Sequence, residues 1–372
     1  MTFEYEPLVE SIAVNAAQRA ASVDRGAFPT ETLHELGNAG LLGLISATEV
    51  GGKGLGLPAA AFVVERLARE CGSTAMVVCM HFCGAAVIEA HGPADVRRAI
   101  AAGKHLTTLA LSEAGSRSQF WVPLSTATPD GSLVKLNARK SFATSAGHAD
   151  SYVWSSKPVA GSELSTLWLV PRTTTGVRVP PAGFDGLGLR GNDSSPIIAE
   201  DARIPATARL GEDGSGFAIM MGTVLPWFNV LAAAVSVGLM EAATQRTCGH
   251  ATGTQFQHAG STIADLPTIR AYIARMRIQT DQAKTLLADT LAAITAGRAD
   301  ATLRVLESKA AAGEAAAEVT DIAMRVCGGA AFRKEVGVER IFRDARAATV
   351  MGPTTDVLFD FIGKAACGMP LF

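Results

Sequence analysis

The sequence has little net charge. Its 33 basic and 35 acidic residues leave −2 over 372 positions, and the two signs are interspersed. Without a basic face or an acidic tail there is no electrostatic case for nucleic acid or an anionic membrane surface as a partner, which leaves small molecules or further copies of the chain. The opening Met1-Thr-Phe-Glu-Tyr-Glu-Pro lacks both a basic n-region and an apolar run, so no secretory leader is expected and a cytoplasmic location is predicted. Apolar stretches such as Val230 to Met240 are shorter than a bilayer span or carry charges, and no transmembrane helix is expected. Six cysteines (Cys71, Cys79, Cys83, Cys248, Cys327, Cys367) fit no zinc spacing. Cys79 and Cys83 lack a second ligand pair, so buried thiols are expected and no metal site. Internal repeats and low-complexity tails are also absent, which excludes solenoids and disordered arms.

What is present is a chain 48% hydrophobic, enough for a large core and two or three domains. Residues 1–105 read as a helical domain: Glu10 to Ala21, Thr30 to Ala39 and Pro58 to Cys71 carry helical periodicity. Between them Glu49-Val-Gly-Gly-Lys-Gly-Leu-Gly is glycine-rich, but it follows no strand and fits no phosphate-loop spacing. Residues 106–212 change texture, with short β-rich runs (106–111, 133–136, 151–155, 166–170, 177–179) between turn signals such as Pro129-Asp-Gly, Gly161-Ser-Glu and Pro180-Pro. Helix-length connections are missing, so a small barrel or sandwich is expected in place of a parallel sheet. In residues 213–372 long alanine-rich periodic stretches return (217–250, 266–294, 299–327, 338–348), suited to an antiparallel bundle.

Three segments, Leu109 to Ser118, Leu136 to Asp150 and Arg325 to Asp356, resemble the acyl-CoA dehydrogenase family of flavoproteins and with the stretches between them span almost the whole chain. Leu109-Ala-Leu-Ser-Glu-Ala-Gly-Ser-Arg-Ser118 is similar to the family's Thr-Glu-Pro-Gly-Ala-Gly-Ser-Asp strand and loop, which face the flavin ring. The resemblance places Leu111, Ser112 and Ser118 there; a plain polar turn after a strand is the other reading. Leu136-Asn-Ala-Arg-Lys-Ser-Phe-Ala-Thr through Asp150 resembles Asn-Gly-Xaa-Lys-Xaa-Trp-Ile-Thr-Asn. It implies that Phe142 replaces the tryptophan packed on the flavin and that Thr144 bonds the ring, unless Phe142 is an ordinary core aromatic. The stretch Gly186 to Ser195 is similar to the family's Gly-Xaa-Arg-Xaa-Ser/Thr, with Arg190 either structural or flavin-adjacent. At the C-terminus, Arg325-Val-Cys-Gly-Gly-Ala-Ala-Phe, Val338-Glu-Arg-Ile-Phe-Arg-Asp-Ala-Arg and Met351-Gly-Pro-Thr-Thr-Asp356 resemble the family signature. There Gly328 and Gly329 match a pair that approaches the dinucleotide part of FAD bound mostly by a neighbouring subunit, and Thr354 matches a cofactor-contacting threonine. The implied fold is α+β and acyl-CoA dehydrogenase-like: an N-terminal helical domain, a middle β-barrel and a C-terminal four-helix bundle.

The resemblance breaks where the family does its chemistry. The family's Tyr-Glu-Gly-Thr glutamate, which removes the substrate's α proton, is Gly352 here. Its other known place for a base, in Leu-Xaa-Xaa-Glu-Arg, is matched by Leu225-Pro-Trp-Phe-Asn-Val, with Phe228 and Asn229 at the glutamate and arginine positions. The arginine of Arg-Xaa-Xaa-Phe-Gly, which meets the FAD pyrophosphate of the neighbouring subunit, is Gly253, although Phe256 fits. Losing that charge-assisted contact leaves room for exchangeable flavin, either FAD or reduced FMN or FAD supplied by a reductase. Candidate bases are Asp356, which equally suits a helix start, and His81 on an apolar stretch, which equally suits a satisfied core histidine.

Three functions stay open: an FAD-dependent α,β-dehydrogenase of an acyl thioester with a non-standard base, a flavin-dependent monooxygenase on the same fold, or a base-deficient subunit of a hetero-oligomer. The family implies a homodimer or homotetramer, with an electron-transfer or reductase partner.

Overall fold

The computed structural model describes residues 4–161, 165–181 and 183–371. Ser162 and Glu163 of the expected Gly-Ser-Glu turn lie outside the described residues. The chain forms two compact units, one of Met1–Ala60, Met76–Asp185 and Arg190–Phe228, the other of Ala61–Ala75, Gly186–Leu189 and Asn229–Phe372.

The first hundred residues are helical: α1 (Glu6–Asp24), α2 (Thr30–Asn38), α3 (Leu57–Ala68), α4 (Gly72–His91) and α5 (Ala94–Ala101). Pro7 sits in the first turn of α1, where its missing N–H costs nothing. α4 is apolar almost all round and buried accordingly.

Among the described residues eight strands follow: β1 (Thr107–Ala110), β2 (Thr126–Asp130), β3 (Leu133–Ala143), β4 (Ser151–Ser156), β5 (Thr166–Pro171), β6 (Val177–Arg178), β7 (Ser195–Pro205) and β8 (Arg209–Leu210). They make two four-stranded sheets, ordered β1-β4-β5-β8 and β2-β3-β7-β6, around one core in which Tyr152, Trp154, Trp168, Leu136 and Ile197 are buried. The middle domain is therefore a two-sheet sandwich. One pair, β1 with β4, is parallel, because the chain crosses through β2 and β3 of the other sheet before returning. β2, β7 and β8 were not expected from the sequence. β2 contains Pro129 and exposes most of its residues, as an edge strand can, and β7 lies between Pro196 and Pro205 with polar residues in its middle.

Helices return with α6 (Gly216–Ile219), a π turn (Met220–Val224) and α7 (Leu225–Gly253). Pro226 cannot donate within that helix, and a wider turn just before it accommodates the lost bond. α8 (Pro267–Thr295) and α9 (Ala301–Cys327) pack along each other. The pairs Arg275–Glu318 and Arg304–Asp289 are ones that antiparallel neighbours make. α10 (Val338–Ala345), α11 (Ala347–Val350) and α12 (Thr355–Ala366) pack on α9.

Among the described residues two helical stretches, Gly72–His91 and Gly216–Gly253, are long and apolar enough to cross a membrane by length and composition alone. Their most apolar windows are 83% and 67% buried inside the protein, as in core helices. Cys71, Cys79, Cys83 and Cys327 are buried as expected, whereas Cys248 is half-buried and Cys367 exposed.

Candidate functional site

In the unit that holds the sheets, Phe142 and Thr144 lie where β3 ends and β7 begins, with Ser112 bonded to the adjacent Ser141. Phe142 is 75% exposed and has φ 54°, so it is not a core aromatic. The register between β3 and β7 shifts between Lys140 and Ala143, and that irregularity turns the ring out of the sandwich. Left-handed backbone at a phenylalanine costs on the order of 1–3 kcal/mol. Arg117, Ser145 and Asp193 share it, at φ 54°, 60° and 49°. Leu189 and Asp201 also share it, at φ 53° and 48°, and of these residues Phe142 and Ser145 flank Thr144 at the end of β3.

Hydrogen bonds hold that surface in place. Thr144 is buried, with its Oγ1 3.1 Å from the Ser194 hydroxyl. Asp193 accepts from the Gly147 N–H at 2.7 Å and the Ser195 hydroxyl at 2.5 Å, while its carbonyl takes the Ala146 N–H at 3.1 Å. Ser112 is half-buried and its carbonyl accepts the Ser141 N–H at 2.9 Å, beside buried Leu111. Ser118 is half-buried in the following loop. Arg190 lies 3.8 Å from Asp185 on the protein surface.

Sequence reasoning missed the anchor beneath this surface. Lys140, fully buried, donates to the Glu113 carboxylate at 2.6 Å and to the carbonyl and hydroxyl of Ser155 at 2.7 and 2.9 Å. Glu113 also accepts from the N–H groups of Leu124 and Ser125 and from the Ser125 hydroxyl. Burial pushes the Lys140 amine down to about 8, opposed by the Glu113 charge. The ion pair ties the 112–118 loop to β3. A polar run (Asn137-Ala-Arg-Lys) gave no sign that its lysine points into the core.

His81 is fully buried. Its Nδ1 accepts the Thr107 N–H at 3.2 Å and its Nε2 lies 3.0 Å from the Leu42 carbonyl, which fixes the proton on Nε2 and occupies both nitrogens. Burial drives its pKa from 6.5 to about 4. The unfolded chain therefore takes up a proton below 6.5 that the native state refuses until about 4. Stability present above 6.5 is lost as pH falls through that window, by on the order of 3 kcal/mol. Urea unfolding at pH 7 and pH 4.5 should show this loss, and His81→Gln, whose amide can keep both bonds, should flatten it.

The helical unit carries the other group. Gly328, with φ 55°, ends α9, and an added Cβ at Gly328 or Gly329 would meet nothing within 4 Å, so backbone is accessible there. The same holds at Gly253. Thr354 caps α12, its hydroxyl 3.5 Å from the Val357 N–H, and Asp356 is exposed in the first turn. Asp344 is buried and accepts the Leu189 N–H at 2.6 Å. Gly352 is half-buried and contributes no proton acceptor.

Asn229 and Lys309 are further buried polar side chains of this unit. Asn229 is fully buried and neither polar atom of its side chain has a partner. Lys309, buried on alanine-rich α9, donates to the carbonyls of Ala348, Met351 and Pro353 at 3.3, 3.1 and 2.8 Å, and burial pushes its amine down to about 7.

In the sheet-bearing unit the outward Phe142 ring and the Thr144 and Ser194 hydroxyls near it are groups that suit a flat cofactor. Three family models match, described as acyl-CoA dehydrogenase N-terminal domain over residues 8–103, middle domain over 108–202 and C-terminal domain over 214–367. Among curated relatives, a cyclohex-1-ene-1-carbonyl-CoA dehydrogenase of Syntrophus aciditrophicus is 28% identical, covering 96% of this chain and 88% of its own length. The human mitochondrial short-chain specific acyl-CoA dehydrogenase is 29% identical over 91% of this chain and 83% of its own. The structure of butyryl-CoA dehydrogenase from Megasphaera elsdenii superposes with a TM-score of 0.90 over 99% of both chains at 23% identity.

Proposed function

The chain belongs to the acyl-CoA dehydrogenase family, and on that premise we propose that it is an FAD-dependent oxidoreductase that dehydrogenates an acyl thioester, with Asp356 in place of the missing glutamate. The observation that carries the reading is Phe142, an aromatic held 75% exposed in left-handed backbone, a kind of strain that clusters at ligand sites. When bound, the flavin supplies the acceptor for a hydride leaving the substrate's β carbon.

The chain's own residues supply the rest. The Phe142 ring offers a stacking face, and the hydroxyls of Thr144 and Ser194 with the backbone of Leu111 and Ser112 offer bonds to ring heteroatoms. Ser118 serves the same cofactor, whereas Gly328 and Gly329 serve the dinucleotide part of FAD bound mostly by a neighbouring subunit, and Thr354 is a further cofactor contact. Removing an α proton needs a group with a free lone pair. Both nitrogens of His81 are already engaged, and Asp344 is buried and bonded to Leu189. Asp356 is the exposed carboxylate between 344 and 356, and it is the residue we assign.

The purified protein should be yellow and should reduce an artificial electron acceptor when given acyl-CoA or acyl-carrier-protein thioesters. Oxygen uptake that depends on a flavin reductase would instead establish the monooxygenase reading, and activity only on mixing with a related chain would establish the partner-subunit reading. Phe142→Ala should raise the FAD dissociation constant about five- to tenfold, since ring contact contributes about 1 kcal/mol beyond burial. Fluorescence titration measures it, and a change under twofold would remove Phe142 from the cofactor site.

A further inference from the structure

Position 352 sits in a short connection between α11 and α12 in which carbonyl groups outnumber donors. α11 is a single turn, so its last carbonyls have no intrahelical partner, and Pro353 has no N–H to give. Such a segment has little of its own to hold it. Its acceptors converge on one side chain. Lys309, 2% exposed in the middle of α9, reaches the carbonyl oxygens of Ala348 at 3.3 Å, Met351 at 3.1 Å and Pro353 at 2.8 Å. An ammonium has three N–H bonds, and these acceptors straddle Gly352. One helical turn further along α9, Gly313 faces Ala348 so closely that an added Cβ would touch it at 3.6 Å, so the same face of α9 carries both the lysine and the packing contact.

We propose that Lys309 is the positioning residue of the Gly352 turn: its ammonium fixes the backbone on both sides of 352 and so sets where Thr354 and Asp356 stand at the head of α12. Lys309 touches neither substrate nor flavin in this role. It acts through the carbonyls. The consequence for catalysis rests on the dehydrogenase reading above, but the positioning itself does not.

Charge-assisted bonds are the strong ones, and methionine matches the lysine stem in volume while removing every donor. Burying an apolar residue of similar size in place of a charge is usually tolerated by the fold. Hydrogen exchange followed by mass spectrometry, on the full-length protein without flavin or substrate, reads the effect locally. Lys309→Met should speed exchange in peptides covering 349–357 by about tenfold or more, as expected when a bond to a charged group is lost from a locally opening segment, with peptides of α8 and of the sheets unchanged. Lys309→Gln, which keeps two donors, should recover part of that protection. In turnover, kcat should fall with KM little changed, the pattern of a misplaced reacting group.

Unchanged exchange at 349–357 in Lys309→Met would overturn the proposal, as would an increase spread evenly through the helical unit or the failure of both variants to fold, either of which would give Lys309 a general stabilising role. Because the exchange measurement needs no cofactor, a chain that oxidises no thioester would refute the functional reading while leaving the Lys309 result standing.

Discussion

Asp356→Asn is expected to slow flavin reduction by an acyl thioester about 10²- to 10⁴-fold, the usual contribution of a positioned general base, with FAD affinity within a few-fold of the parent. The amide has the carboxylate's size and keeps a polar group in the first turn of α12, where Asp356 is exposed beside the Thr354 cap. What it removes is the proton acceptor. The competing role, a carboxylate that merely favours a helix start, makes a different forecast: a loss of about 0.3–1 kcal/mol in stability and no change in the rate of reduction. Stopped-flow absorbance and a denaturation curve on the same variant separate the two. A rate within threefold of the parent would withdraw Asp356 as the base.

Glu113→Ala should destabilise the sheet-bearing unit by about 3–5 kcal/mol, because removing one partner leaves the buried Lys140 charge uncompensated. The damage is compounded locally, since the N–H groups of Leu124 and Ser125 lose their acceptor in the same substitution. Lys140→Met should cost less, because Glu113 keeps three donors from Leu124 and Ser125. Combining the two should recover part of the Glu113→Ala loss, as coupled neighbours do not add. Urea midpoints for the two single variants and the double variant test the order. A loss below about 1 kcal/mol for Glu113→Ala would mean that the pair is solvated or dispensable.

The helices were legible because their apolar periodicity is long and their alanine content high, and α8 and α9 fall within a few residues of expectation. The sandwich was legible only in part. The β-rich run was expected to stop at Leu136, yet the strand runs to Ala143 with Lys140 turned inward onto Glu113. A pairing between residues 27 positions apart leaves no periodic trace. Phe142 and His81 each had two readings in sequence, and burial separates them: one ring faces solvent, the other is tied to backbone on both nitrogens. Lys309 could not have been found at all, because a lone lysine on an alanine-rich helix carries no sign of the carbonyls it will meet.

The central claim, that this chain oxidises an acyl thioester with Asp356 as its base, is tested most directly by anaerobic titration of the flavin-loaded protein with a panel of acyl-CoA and acyl-carrier-protein thioesters, followed by absorbance. The account predicts that at least one thioester bleaches the flavin stoichiometrically in the parent and fails to do so on the same timescale in Asp356→Asn. A flavin that stays oxidised with every thioester, in protein shown to be folded and loaded, would contradict it.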